Sequence, residues 1–222
     1  TYQSLNYTTV VQPIHHKSDD CAYFFNDHYV HRLNDTVFDG GTDTIPLTLP
    51  DDGYITAACS YGNFIAIAWT ADDGLRNTVF LWDRNATLNT ISERYDYGAG
   101  KIIHLADLGG RLTAVVESYP KLLIKQLYGG TLEVISELVS NATGGFLPSK
   151  KTNLVIDNKL YFPFDLDADG GDRLGVYVVR SDGSISMDYA IDDATTYKDI
   201  FTDGSYMWFA HSADGSVDRI SL

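Results

Sequence analysis

Two observations predict an all-β chain, and a β-propeller in particular: strands rich in aromatic and β-branched residues, and a hairpin that recurs at intervals of 46 to 49 residues. Of the 222 residues, 44% are hydrophobic and 13% aromatic, with 15 Tyr against 2 Met, a usage that suits pleated, half-buried surfaces better than helices. The hairpin is an apolar strand, a tight turn of Gly, Asn or Asp, and a second apolar strand. Its clear copies are ITAACSYGNFIAIAW (55–69), IIHLADLGGRLTAVV (102–116), NLVIDNKLYFPF (153–164) and KDIFTDGSYMWFA (198–210). Their turns centre on Gly62, Gly109, Asn158 and Gly204, which is the spacing of propeller blades, each an antiparallel sheet of four strands.

The remaining strands follow each hairpin in order. Third strands read NTVFLWD (77–83), KLLIKQLY (121–128), GVYVVRS (175–181) and VDRISL (217–222), and fourth strands ATLNTISE (86–93), GTLEVISELV (130–139) and GSISMDYAI (183–191). A fifth, less regular copy precedes them, with TTVVQPI, CAYFF, YVHRL and TIPLTL as its strands. The predicted blades are therefore 8–50, 51–97, 98–143, 149–193 and 194–222, forming one domain over 1–222. The last copy lacks a fourth strand, and residues 2–7 are placed to supply it, closing the ring and removing two open sheet edges. Four blades, or a ring completed by residues outside this sequence, are the other arrangements the count allows.

Charge and cysteine content narrow the function classes. Sixteen Lys and Arg against 30 Asp and Glu give a formal net charge of -14, which repels a phosphate backbone, so sequence-specific nucleic-acid binding is not expected. No run reaches the ~18 apolar residues of a membrane span, and the opening residues do not read as a signal peptide. The sequence begins at Thr1 rather than Met, which leaves open a fragment or a processed product. Cys21 and Cys59 leave open one disulfide or two buried thiols.

The wording of the blades adds a resemblance. DDGYITAACSYGNFIAIAW, NTVFLWDRNATLNTISERYDYGAG, KIIHLADLGGRLTAVVES and IDNKLYFPFDLDADGGDRLGVYVVRSDG resemble a family of predicted virion proteins from tailed bacteriophages, most specifically at YGNFIAIA and VFLWDRNATLNTISE. The similarity runs from about Tyr7 to Leu222. It implies a structural protein of the phage particle, in its tail, whose partners are other tail proteins and copies of itself in a symmetric ring, and it carries no catalytic residues over to this chain. In overall type the chain is also similar to the propeller domains of tail nozzle proteins, by analogy of fold.

Local signals for chemistry are few. In DLDADGGD, Asp165, Asp167 and Asp169 precede Gly170, an alternation that can hold calcium; the twelfth position is Val176 rather than Glu, and the competing reading is a solvated turn. Beyond that structural calcium no cofactor is expected. A glycosidase would need two carboxylates on inner strands, for which Asp20, Asp107, Asp157 and Asp199 are the candidates; no stretch resembles a glycosidase family, and a protein without enzymatic activity is expected. The histidines His15, His16, His28, His31, His104 and His211 lack metal-site spacing and read as surface or interface residues. Sequons at Asn6, Asn34, Asn85 and Asn141 carry meaning only in a secreted protein. Tyr61, Phe64, Trp69, Phe80 and Trp82 could stack a sugar, but packing between blades is the expected role. The leading expectation is a rigid interaction scaffold of the virion; a host-surface or carbohydrate-binding module is the alternative.

Overall fold

A computed structural model of the chain describes residues 11–17, 20–26, 29–33, 43–45, 49–83, 91–139, 153–165, 174–191, 197–211 and 216–221. Every regular element among them is a strand, and the strands form five antiparallel sheets, each built in chain order. The first sheet contains β1 (Val11–His16), β2 (Cys21–Asn26), β3 (Tyr29–Leu33) and β4 (Asp43–Ile45). The second contains β5 (Gly53–Tyr61), β6 (Phe64–Ala71), β7 (Asn77–Asp83) and β8 (Ile91–Asp96), and the third β9 (Lys101–Asp107), β10 (Leu112–Ser118), β11 (Lys121–Tyr128) and β12 (Thr131–Val139). In the fourth are β13 (Leu154–Ile156), β14 (Lys159–Asp165), β15 (Leu174–Val179) and β16 (Ile185–Ile191); the fifth has three strands, β17 (Tyr197–Thr202), β18 (Tyr206–His211) and β19 (Val217–Ser221). The N-terminal strand expected at 2–7 and the second and third carboxylates of the calcium loop, Asp167 and Asp169, lie outside the described residues.

Boundaries differ from the sequence reading mainly in outer strands. The fourth strand of the second sheet was expected at 86–93 and is found at Ile91–Asp96, three residues beyond Glu93. Its partner β7 is an apolar run fixed by burial, whereas ISERYD is mostly polar and outermost, so pairing with β7 and the packing of Ile91 and Tyr95 set its register.

Alternation along each strand explains the stacking. On β6, Ile65, Ile67 and Trp69 point into a core shared with the first sheet, whereas Ala66 and Ala68 point into a core shared with the third. On β7, Phe80 and Trp82 face the first sheet and Val79 and Leu81 the third. A strand buried on both faces needs apolar residues at every position, which is why these segments read as continuous hydrophobic runs. Four such cores join the sheets in series: Tyr23 and Val30 with Trp69 and Trp82; Leu81 with Ile102 and Val116; Val115 and Ile124 with Phe162 and Val179; Val176 and Val178 with Met207 and Phe209. Register shifts recur in all five sheets, for example at Ile55/Ala57, Val115/Val116 and Val176/Tyr177, and such bulges increase strand twist. Cys21 and Cys59 are buried in the first two of these cores as thiols, not joined in a disulfide.

Polar latches reinforce two junctions. Between the second and third sheets, the Tyr97 hydroxyl lies 3.3 Å from Asn77 Oδ1 and accepts the Ile102 amide at 3.4 Å, and Asn77 Nδ2 donates to the Gly98 carbonyl at 2.8 Å. Burial pushes the Tyr97 phenol up to about 12. Lys125, itself buried, donates to the Tyr97 carbonyl and lies over the Tyr97 ring, and burial lowers its pKa. Between the third and fourth sheets, the turn after β15 is gripped by Gln126 Nε2, 3.0 Å from the Ser181 carbonyl, and by Ser136 Oγ, which donates to the Gly183 carbonyl. Gly183 has φ +83°, and a Cβ there would sit 2.5 Å from Ile135 Cγ2, so both backbone and space require glycine.

Candidate functional site

The first strands of successive sheets, β1, β5 and β9, lie side by side, so the tight turns that end them gather at one end of the stack. The turns that end β5, β9 and β13 need left-handed backbone: Gly62 at φ +56°, Gly109 at +69°, Asp157 at +50° and Asn158 at +58°. The turns also hold one another. Tyr61 of the second sheet donates its hydroxyl to the Gly110 carbonyl of the third at 3.4 Å, and the Asn158 side chain lies against Gly109.

Together they shape a cup of about 460 Å³ to which four sheets contribute: His15 and Lys17 from the first, Ser60 and Gly62 from the second, Asp107 and Gly109 from the third, Asn158 from the fourth. Below it a throat of about 370 Å³ shares His15, Lys17, Ser60 and Asp107, and is otherwise mainly apolar, with Ile14, Ala58, Leu105 and Leu154 in its wall. His15 Nε2 donates to Asp20 Oδ1 at 2.9 Å across the β1–β2 turn. Asp107 accepts the Gly110 amide at 2.7 Å, which stabilises its own turn. Cys59 borders the throat, and burial pushes its thiol up, so it is an unreactive thiol rather than a nucleophile.

The four carboxylates considered for sugar hydrolysis distribute around this end. Asp107 lines the cup, Asp20 pairs with His15 at its edge, and Asp157 occupies the turn beside Asn158. Asp199 lies on β17, where its side chain is outside the described set. Asp165 ends β14, and among the described residues no group of three His, Cys, Asp or Glu is placed to hold a metal.

Of the histidines, His16 and His104 are buried and His15 is exposed. His104 packs on Phe162 with ring centroids 5.0 Å apart, its Nδ1 3.1 Å from Asn153 Nδ2, and burial lowers it to about 3. Trp69, Phe80 and Trp82 are core residues between the first and second sheets, and the half-buried Tyr61 and Phe64 pack against the core between the second and third.

The cup itself was not read as a site from the sequence. Its signal was available: Ser60 and Asp107 stand two residues before turn glycines in successive copies of one repeat, which places them at the same end of neighbouring strands.

No family model and no curated protein sequence matches the chain. Solved structures do match in fold. A protein of unknown function from Bacteroides caccae superposes with TM-score 0.59 at 7% identity, over 96% of this chain and 77% of that one. Virginiamycin B lyase from Staphylococcus aureus gives 0.58 at 13% identity, over 96% of this chain and 65% of the lyase. A candidate 6-phosphogluconolactonase from Bacteroides uniformis gives 0.54 at 14%, over 91% and 68%. The chain thus spans about two thirds of the lyase's length. These similarities establish an all-β, propeller-like fold. They also correct one expectation: the fold is shared with proteins named as a lyase and a lactonase, so the inference that the chain lacks enzymatic activity does not hold.

Proposed function

We propose that the chain is a structural component of a tailed-phage particle, in its tail, where its stacked sheets serve as a platform for neighbouring tail proteins and for further copies of itself. The sequence resemblance motivates it, and the observation that carries it is an apolar rim. The outer strands β12 and β16 expose Val134 (51%), Val139 (55%) and Met187 (48%) rather than a uniformly polar surface. Apolar side chains on a sheet's outer edge favour burial against another protein. Charged neighbours, among them Glu133, Glu137 and Lys121, restrict which edges can pair with the rim.

The test is a cryo-electron reconstruction of the intact particle, with mass spectrometry of its purified proteins. The reading requires the chain among the particle's proteins, in a symmetric ring whose β12 and β16 edges face a neighbour. A chain missing from purified particles, or tethered with those edges in solvent, overturns it.

A further inference from the structure

The cup at the turn end of the stack holds more polar groups than the fold requires. Asp107 stabilises its own turn through one oxygen, and His15 is held by Asp20. The Lys17 amine, the Ser60 hydroxyl and the Asn158 amide have no hydrogen-bond or ionic partner among the described residues, yet all three border the same space. They come from three different sheets, so their convergence is a product of the tertiary fold and not of one local turn.

The composition of the cup selects a ligand class. Lys17 offers donors only, Asp107 an acceptor oxygen, and Ser60 and Asn158 offer both. Within the lining the Lys17 amine is offset by the Asp107 carboxylate, and the further carboxylates of Asp20 and Asp157 lie at its edge, so the cup gives an anion little net attraction. A neutral molecule with several hydroxyls, each both donor and acceptor, fits this mixture. The throat beneath adds apolar wall from Ile14, Ala58, Leu105 and Leu154, against which the C–H face of a sugar ring loses water favourably. A volume of about 460 Å³ lies within the range of small-ligand sites.

From this geometry we infer that the cup binds a neutral saccharide, with Asp107 and Lys17 orienting its hydroxyls from opposite sides and Ser60 and Asn158 completing the contacts. The site is independent of where the chain resides. A free sugar and the end of a glycan chain present the same chemistry.

Saturation-transfer NMR on the whole chain tests it, using the methyl glycosides of glucose, galactose, mannose and N-acetylglucosamine. At least one is expected to receive saturation, and Asp107→Asn and Lys17→Met should each weaken it roughly ten-fold or more, the loss of a charge-assisted hydrogen bond. Glu133→Gln, on the distant outer strand β12, should leave it unchanged. Ser60→Ala removes only a hydroxyl and gives a weaker but parallel loss if Asp107→Asn fails to fold. A trisaccharide that binds more tightly than its terminal methyl glycoside identifies a chain end as the ligand; equal affinity identifies the free sugar. Silence from all four glycosides up to about 10 mM, or binding indifferent to both Asp107→Asn and Lys17→Met, overturns the inference.

Discussion

The second and fifth sheets carry comparable aromatic residues in contrasting surroundings. In the second, Trp69 and Trp82 are enclosed, Trp82 meeting Tyr23 of the first sheet edge-on at 5.7 Å. In the fifth, Met207 and Phe209 face the fourth sheet, while Phe201, Tyr206 and Trp208 occupy the other face. Phe201 stacks on Trp208 at 6.2 Å with planes 7° apart, yet remains 48% exposed, and Arg219 covers the Tyr206 ring at 4.6 Å. The Trp208 indole donates to Asp203 at 3.1 Å. A sheet with neighbours on both sides turns its aromatics into core. Where the described residues supply one neighbour, the same alternation leaves a face that stacks on itself and recruits an arginine.

The largest expected effect tests the enclosed side. Trp82→Ala should cost about 3 to 5 kcal/mol in urea denaturation, as for large-to-small changes in a packed core, whereas Trp208→Ala should cost about 1 to 2. Equal losses would mean the outer face of the fifth sheet is as enclosed as the second.

Next comes acid sensitivity at the third-to-fourth junction. The His104 imidazole is neutral in the folded chain down to about 3, but takes up a proton near 6.5 when unfolded. Its contribution is therefore intact above pH 6.5 and declines as pH falls, by up to about 1.4 kcal/mol per unit, until the folded value is reached. Comparing the stability of the native chain with His104→Leu at pH 7 and pH 4.5 should show a gap that narrows or reverses in acid. A pH-independent gap would mean His104 is solvated.

A smaller loss, about 1 to 3 kcal/mol in thermal melting, is expected for Gly183→Ala, which strains a left-handed turn and strikes Ile135. The smallest is expected at Asp203→Ala in the fifth sheet. Its carboxylate accepts the Ser205 and Tyr206 amides, which hold its pKa below the usual range, and the variant should speed amide exchange in the β17–β18 hairpin without altering exchange in β6. Matching changes in both would show that the fifth sheet opens only with the rest.

Much of the sheet order was legible because hairpins announce themselves locally. Asp157-Asn158 and Gly204 allow backbone that few other residues adopt, and the flanking apolar runs fix which faces are buried. Outer strands were less legible, since ISERYD carries little apolar pattern of its own. The environment of single polar residues was not legible at all. His104 and Lys125 are buried by neighbours from other segments, His104 by Phe162, 58 positions along the chain, so no local pattern marks them. The cup stood between these cases: its residue positions followed from the repeat, but the convergence of their side chains required knowing that the first strands of successive sheets run side by side.

The four cores in series also set a mechanical order. Force applied along the chain reaches the fifth sheet through β17–β19, which among the described residues shares a core with the fourth sheet alone. Tension would peel that sheet away first, so the molecule should yield in steps, with the junctions latched at Tyr97 and at Ser181–Gly183 resisting longer.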